Sequence, residues 1–193
     1  MEAGALGSEY NAVGARARLR CPAVTITPIR RVILGIDPGL ANCGYGVIAS
    51  TRLGLEMLEY GCIETAAEMS MPERLAALDS ALRRVIGTHH PEEAAYEQLY
   101  VGQNLSTALS VGRALGVIEL VCGQLKVPVA SYTPSEIKHA VSTAGRADKH
   151  QVQFMVGVLL GMSTPPTPHH AADALAVAIT HSMRGRGRGH GTA

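Results

Sequence analysis

Residues 32–46 read VILGIDPGLANCGYG, and this stretch decides the fold. Val32–Asp37 is a short apolar run rich in β-branched residues, which predicts a buried strand that ends on a carboxylate. A Pro-Gly turn signal follows directly, and Tyr45–Ala49 predicts a second strand. Because ligand sites in α/β proteins collect at the carboxyl ends of strands, the position of Asp37 makes it a candidate functional residue.

The remaining elements follow from hydrophobic spacing and from capping residues. Met57–Glu64 predicts a third strand, so the first three strands are expected to form an antiparallel meander. Strands and helices then follow: a helix after Ser70, a strand at Ala94–Glu97, a helix from Asn104 to about Leu125, a strand at Val127–Tyr132, and helices opened by Thr133, by Asp148 and by Thr167-Pro168, the last ending near His181. We expect an α/β fold with a mixed five-stranded sheet flanked by helices on both faces.

Length and composition favour one folded domain. The 193 residues are 47% hydrophobic, which excludes wholesale disorder. We predict a flexible extension over residues 1–30, the domain over 31–182 and a basic Gly-rich tail over 183–193. No run of about 18 apolar residues is present, so no membrane-spanning helix is expected. The cysteines are widely spaced without a CxxC pair, which argues against a zinc site and suits the cytoplasm.

The charge is unevenly distributed along the chain. Val32–His181 carries a net charge of −5 and the two ends together carry +6, although the whole chain has a formal net charge of +1. A domain this acidic repels a polyanion such as DNA unless its acids are neutralised, whereas the basic ends attract one.

Three isolated acids lie at the ends of predicted elements, namely Asp37, Glu97 and Asp173. Each also has a plain structural interpretation, as a turn residue, an edge-strand residue and an exposed residue of a first helical turn. If they converge, they offer the oxygen ligands that Mg²⁺ prefers, and two such ions clamp the reacting oxygens in phosphodiester hydrolysis. Either His169 or His170 can share the helix face of Asp173.

Four motifs resemble those of the RuvC Holliday-junction resolvases: Gly35–Gly39 followed by Gly44-Tyr45-Gly46, Tyr96-Glu97-Gln98, Gly145–Val152, and His170–Ala176. The likeness runs from about Val32 to His181, in order and with family-like spacing. It implies an RNase H-like fold and a homodimeric, metal-dependent endodeoxyribonuclease. Such an enzyme makes paired symmetric nicks in four-way DNA junctions during recombination and repair, and it works with the RuvA and RuvB branch-migration proteins.

The resemblance also implies a catalytic and metal-binding set formed by Asp37, Glu97, His170 and Asp173. It implies two Mg²⁺ ions in each site, with Mn²⁺ able to replace them, and these ions offset most of the negative charge of the domain. Many family members have Asp at the position of His170. Because imidazole is a softer ligand than carboxylate, we expect the metal preference of this chain to move toward Mn²⁺.

Three further residues match family positions that contact DNA. Lys138 and Lys149 match basic positions near the scissile phosphate, and Tyr100 falls where the family carries an aromatic residue that stacks on an unpaired base. The alternatives are a solvated helix face for the lysines and a core position for the tyrosine. Gly112 and Gly116 lie four residues apart, which suits either a dimer contact or tight packing inside one subunit.

Three rival functions remain open from the sequence. Gly35–Gly39 followed by Asn42 is similar to the phosphate loop of sugar-kinase/actin-like ATPases, but those proteins need two lobes and 193 residues hold only one. A non-catalytic junction-binding protein gains nothing from acids that face phosphates, so Asp37, Glu97 and Asp173 argue against it. An RNase H-like nuclease acting on RNA–DNA hybrids, or a transposase, is disfavoured only by the four motifs together.

Overall fold

The computed structural model describes residues 30–98, 105–142 and 148–185. In chain order the elements are β1 (Arg31–Asp37), β2 (Asn42–Ser50), β3 (Leu55–Glu64), α1 (Met71–His89), β4 (Glu93–Glu97), α2 (Leu105–Gln124), β5 (Val129–Tyr132), α3 (Pro134–Val141), α4 (Lys149–Leu159) and α5 (His169–Gly185). This confirms the predicted order. The predicted features outside the described residues are the extension before Arg30, Tyr100, Asn104, residues 143–147 and the tail beyond Gly185.

The sheet has the strand order β3-β2-β1-β4-β5. The first three strands pair antiparallel, as the meander prediction required, whereas β4 pairs parallel with both β1 and β5. The register joins Ile36 of β1 to Tyr96 of β4, one residue before the acid that ends each strand. Parallel pairing therefore brings Asp37 and Glu97 to the same edge of the sheet.

Helices cover both faces of the sheet, which confirms the predicted mixed sheet with two helical layers. On one face, α1 and α2 pack on a core that includes Leu34, Leu82 and Ile118. On the other, α3, α4 and α5 pack on a core that includes Ile33 and Ile179. Because successive residues of β1 point to opposite faces, Ile33 and Leu34 are both fully buried in different layers.

Glycines let α5 lie directly on the strand backbone. A Cβ atom added to Gly44 would overlap the carbonyl oxygen of His170, and one added to Gly35 would overlap that of Ala174. A Cβ atom added to Gly46 would overlap the side chain of Leu175. The first turn of α5 is therefore held against the ends of β1 and β2.

Helix α5 is longer than predicted. It continues to Gly185 instead of ending near His181, so residues 183–185, expected in the tail, belong to the helix. Arg184 holds this last turn, because its guanidinium lies 2.8 Å from the Glu136 carboxylate and 5.5 Å from the ring centre of Tyr132. The helical pattern in the sequence does not predict this last turn, because the contacts that stabilise it come from residues of other elements.

Most other boundaries agree within a few residues. The side chains of Thr133 and Asp148 accept hydrogen bonds from the first turns of α3 and α4, as the predicted caps require. Strand β5 begins at Val129, two residues later than predicted, since Pro128 has no N–H group for strand pairing.

Helix α2 is apolar over most of its length, although the sequence contains no uninterrupted apolar run of about 18 residues. Within the described ranges, Ser106–Gln124 is the one segment long and apolar enough to cross a membrane, with a mean hydropathy of 1.3 and 22% of the window buried. Arg113 and Glu119 interrupt the apolar run, but the mean hydropathy of the segment stays high despite these two charges. One face of the helix is bound to the protein core through Ala114, Ile118, Val121 and Cys122.

Candidate active site

The four predicted catalytic residues meet at one edge of the sheet. Asp37 ends β1, Glu97 ends β4, and His170 and Asp173 lie in the first two turns of α5. The Nδ1 atom of His170 lies 2.7 Å from Oδ2 of Asp37. Glu97 and Asp173 line a single cleft between the sheet, α3 and α5. Three elements that are distant in sequence therefore build one acidic cluster.

The plain structural interpretations of the three acids do not hold. The Asp37 side chain is only 17% exposed and bonds to His170. Glu97 belongs to β4, which lies between β1 and β5 and is not an edge strand. The Asp173 side chain is 26% exposed and faces the ammonium of Lys149. All three carboxylates point into the cluster.

The two neighbouring histidines have different surroundings. His170 contacts Asp37, as the matched family position predicted. His169 is exposed, and its ring centre lies 6.0 Å from that of His150. His170 is therefore the histidine that belongs to the cluster.

Both predicted lysines lie at the same cleft. Lys149 begins α4, and its Nζ lies 3.0 Å from Oδ2 of Asp173. Lys138 of α3 lines the cleft beside Glu97. The positive charges of both lysines act to lower the pKa of Glu97, so they lie near the acids and not on a remote solvated face. Tyr100 lies outside the described residues.

The acids repel one another electrostatically. Burial raises the pKa of Glu97 to about 7, helped by the negative charges of Asp37 and Asp173 and opposed by the lysines. The pKa of Asp37 is also raised, mainly by burial and then by Asp173, against the lowering effect of its hydrogen bond to His170. A bound cation relieves such crowding, because it favours the ionised carboxylates.

The residue types fit a divalent cation. Carboxylate oxygens and one imidazole nitrogen are ligands for Mg²⁺ and Mn²⁺. In the ranges that the structure describes, no three His, Cys, Asp or Glu side chains lie close enough together to hold one ion as they stand. The carboxylates of Asp37 and Asp173 instead have His170 and Lys149 as partners. A cation bound at these carboxylates therefore competes with Lys149 and His170 for the negative charge of the acids.

The alanines around Asp173 predict that α5 lies close to the sheet, but the part played by the glycines of β2 was missed in the sequence analysis, although its signal is present. Gly44 and Gly46 alternate along β2, so both glycines face the same side of the sheet. The helix that covers them has alanine at many of its buried positions, among them Ala171, Ala174 and Ala178. Small residues on both surfaces indicate backbone-to-backbone packing, and this packing brings His170 to Asp37.

Comparison with known proteins identifies the family. Residues 33–181 match the family described as crossover junction endodeoxyribonuclease RuvC. The chain belongs to the RuvC family. RuvC of Petrotoga mobilis (strain DSM 10674 / SJ95) is 45% identical over 150 residues, which cover 78% of this chain and 92% of that protein. RuvC of Heliobacterium modesticaldum (strain ATCC 51547 / Ice1) is 47% identical over 154 residues, which cover 79% and 95%.

A solved RuvC structure shows the same fold. The structure of T. thermophilus RuvC in complex with a Holliday junction substrate matches with a TM-score of 0.77 and 34% identity, over 81% of this chain and 95% of that chain. RuvC membership confirms the resemblance seen in the four motifs, and the structural match confirms the RNase H-like fold. The matched range contains all four residues of the acidic cluster and both lysines.

Proposed function

We propose that this RuvC protein is a metal-dependent endodeoxyribonuclease that resolves four-way DNA junctions by paired symmetric nicks during recombination and repair. The observation that carries the proposal is the meeting of Asp37, Glu97, His170 and Asp173 at one edge of the sheet. The name of the curated relatives, crossover junction endodeoxyribonuclease, supports the reaction. The junction bound to T. thermophilus RuvC supports the substrate.

The proposed cofactor is Mg²⁺, two ions in each site, with Mn²⁺ able to replace them. Asp37, Glu97 and Asp173 would hold the ions with His170. Bound there, the ions would supply an activated water for attack on phosphorus and positive charge for the leaving 3′ oxygen. When the imidazole of His170 is neutral and its Nδ1–H donates to Asp37, Nε2 is the ring nitrogen whose lone pair would bind a cation.

The lysines have a separate role in this mechanism. Lys138 and Lys149 carry positive charge beside the acids, where it offsets the negative charge that develops on the phosphate during attack. Because the ammonium groups are supplied by helices α3 and α4, they are in place before the substrate arrives. We also propose that Tyr100 stacks on an unpaired base of the junction.

We propose that the protein works as a homodimer through α2. Among the residues that the structure describes, a Cβ atom added to Gly112 or Gly116 would meet nothing within 4 Å, so neither glycine serves tight packing against that part of the subunit. Leu109 and Leu120 lie on the same side of the helix and are 57% and 55% exposed. A two-fold dimer presents two equivalent sites to the two equivalent strands of a junction, which explains nicks in pairs.

The substitution Leu120→Arg tests the dimer. A buried, unpaired guanidinium opposes association, so we expect the variant to sediment as a monomer at concentrations at which the wild-type protein is a dimer. Leu53→Arg is the control, because Leu53 is fully exposed in the β2–β3 connection. A Leu120→Arg variant that remains dimeric would exclude α2 as the interface.

The proposal also includes partners and location. By family resemblance, RuvA and RuvB branch-migration proteins are the expected partners, and the cytoplasm is the expected compartment. The basic ends of the chain are expected to add non-specific attraction to DNA.

The decisive experiment compares an end-labelled four-way junction with a linear duplex of the same sequence, in Mg²⁺, Mn²⁺ or EDTA. We expect metal-dependent paired nicks in the junction only. Asp37→Asn should abolish nicking and retain junction binding, because it removes a ligand charge without removing bulk. Asp79→Asn, the same change on α1 outside the acidic cluster, should retain activity. Normal nicking by Asp37→Asn would refute the assigned site, and equal cleavage of the duplex would refute junction selectivity.

A further inference from the structure

A second groove lies beside His170, apart from the cleft that holds Glu97 and the two lysines. Its walls are the β1–β2 turn, Arg74 of α1 and the first turns of α2, where Ser106 and Ser110 face it. No aspartate or glutamate side chain lines this groove among the residues the structure describes. The first cleft thus combines acids with lysines, whereas the charged side chain of this second groove is Arg74.

Arg74 is fixed in place by a short chain of hydrogen bonds. Its Nε donates to Oγ1 of Thr65 at 2.8 Å, and the Thr65 hydroxyl donates to the carbonyl oxygen of Leu40 at 2.6 Å. Thr65 is buried, so this support is rigid. The arrangement uses the Nε group and leaves the two terminal nitrogens of the guanidinium as donors for a ligand.

Arg74 has no acidic partner within ion-pair distance in the described parts of the chain. Five other described arginines do pair with carboxylates: Arg30, Arg31, Arg83, Arg84 and Arg184. A half-buried guanidinium that is held in place, faces a groove and has no described acidic partner offers the charge and the N–H donors that an external anion needs.

We propose that this groove binds a backbone phosphate of the nicked DNA strand next to the scissile phosphate, with Arg74 as its cation. The inference rests on the proposed function. Each DNA strand carries a phosphate about every 3.4 Å along the helix axis, so a strand centred on the acids must continue on both sides of them. Lys138 and Lys149 lie on one side, and Arg74 lies on the other, beyond His170.

The expected role of Arg74 is to position the strand. A guanidinium binds two phosphate oxygens at once, and phosphate contacts fix register without reading the base sequence. Arg74 therefore aligns the scissile bond with Asp37 and Asp173 on any DNA sequence.

The first test measures junction binding in EDTA, where no cleavage occurs, as a function of salt concentration. Each phosphate contact contributes about 0.9 to the slope of log affinity against log salt. Arg74→Gln should lower the slope by about that amount in each subunit and weaken binding most at low salt. Arg83→Gln, the same change on the same helix but at an arginine that pairs with Asp79, should leave the slope unchanged. An unchanged slope for Arg74→Gln would show that Arg74 only braces the turn.

The second test separates binding from folding. Single methylphosphonates, which remove one backbone charge each, replace the phosphates on either side of the scissile position. Replacement of the phosphate that Arg74 contacts should weaken junction binding by the wild-type protein several-fold. The same replacement should not weaken junction binding by Arg74→Gln any further. Equal losses for both proteins at every position would overturn the proposal. If the wild-type protein binds junctions but never nicks them, the proposed function is wrong. The effect of the methylphosphonates on binding by the two proteins would still test the phosphate contact of Arg74.

Discussion

The ammonium of Lys149 lies 3.0 Å from the carboxylate of Asp173, inside the cluster of acids at the end of the sheet. An ammonium and a divalent cation compete for the same oxygen atoms, because each supplies the positive charge that the carboxylate attracts. In the absence of a cation, the ammonium of Lys149 thus supplies part of the positive charge that neutralises the Asp173 carboxylate. The same side chain is placed to contact the phosphate once a cation has taken over the carboxylate.

Replacing Lys149 by Gln should have opposite effects on cation binding and on catalysis. Without the competing ammonium, Mg²⁺ and Mn²⁺ should bind the DNA-free protein several-fold more tightly. Junction nicking should slow by about 10-fold to 100-fold, since a charge near the phosphate is lost. The melting temperature as a function of cation concentration measures the first effect, and single-turnover nicking measures the second. Arg52→Gln, an exposed loop change, is the control; weaker cation binding by Lys149→Gln would contradict the competition.

The pKa of Glu97 predicts how the stability of the metal-free protein depends on pH. Its folded-state pKa of about 7 lies above the unfolded value of about 4.3, so the folded state binds the proton more tightly. This favourable contribution is lost as the pH rises through that window. In EDTA at pH 8, Glu97→Gln should therefore be more stable than the wild-type protein by about 1–2 kcal/mol, after allowance for solvent screening.

Urea unfolding at several pH values measures this difference. The two proteins should converge in stability as the pH falls below about 4, where the carboxyl of Glu97 becomes protonated in both folded and unfolded states. Added Mg²⁺ should stabilise the wild-type protein more than the variant. Glu68→Gln, the same change at an exposed position before α1, is the matched control. A difference that is independent of pH would refute the raised pKa.

The contact between Gly44 and α5 predicts a large effect of one methyl group. Gly44→Ala should destabilise the protein by about 2–3 kcal/mol and reduce nicking, because the added Cβ must push the carbonyl of His170 away from the strand. Gly87→Ala is the matched control in α1, where an added Cβ meets nothing, and it should stabilise the protein by up to about 1 kcal/mol. Equal stability of the two variants, measured by thermal and urea unfolding, would contradict the close packing.

His170 is expected to influence the choice of metal. Replacing its imidazole by a carboxylate makes the ligand set harder, so His170→Asp should shift the ratio of Mn²⁺-supported to Mg²⁺-supported nicking several-fold toward Mg²⁺. The matched control is His169→Asp, the same change at the exposed neighbour. Titration of both metals measures the ratio, and identical ratios for the wild-type protein and His170→Asp would remove the support for this role.

Much of the fold could be predicted because the relevant signals are local. The β-branched run before Asp37, the turn after it and the caps at Thr133 and Asp148 each act within a few residues. The convergence of Asp37 and Glu97 follows from one further rule, that parallel strands present their carboxyl ends at one edge. Fold order and the position of the acids were therefore accessible from the sequence, whereas the catalytic roles stay predictions until the variants are measured.

The missed features depend on contacts between distant segments. Nothing near Lys149 in sequence indicates that its ammonium reaches Asp173, because that contact depends on how α4 crosses α5. The groove at Arg74 requires α1, α2 and the β1–β2 turn together. The last turn of α5 depends on Glu136 and Tyr132 of neighbouring elements. Such contacts are set by packing angles, which short sequence patterns do not encode.

The contact between Asp37 and His170 joins residues 133 positions apart, and only the seating of α5 on its glycines completes the cluster. During synthesis, the ribosome makes the first acid long before the last helix. A chain that is unfinished, or that has lost α5 through damage, keeps Asp37 and Glu97 but lacks His170 and Asp173, so it has no assembled centre. We therefore expect nuclease activity only from chains in which α5 has been made and has packed on the sheet.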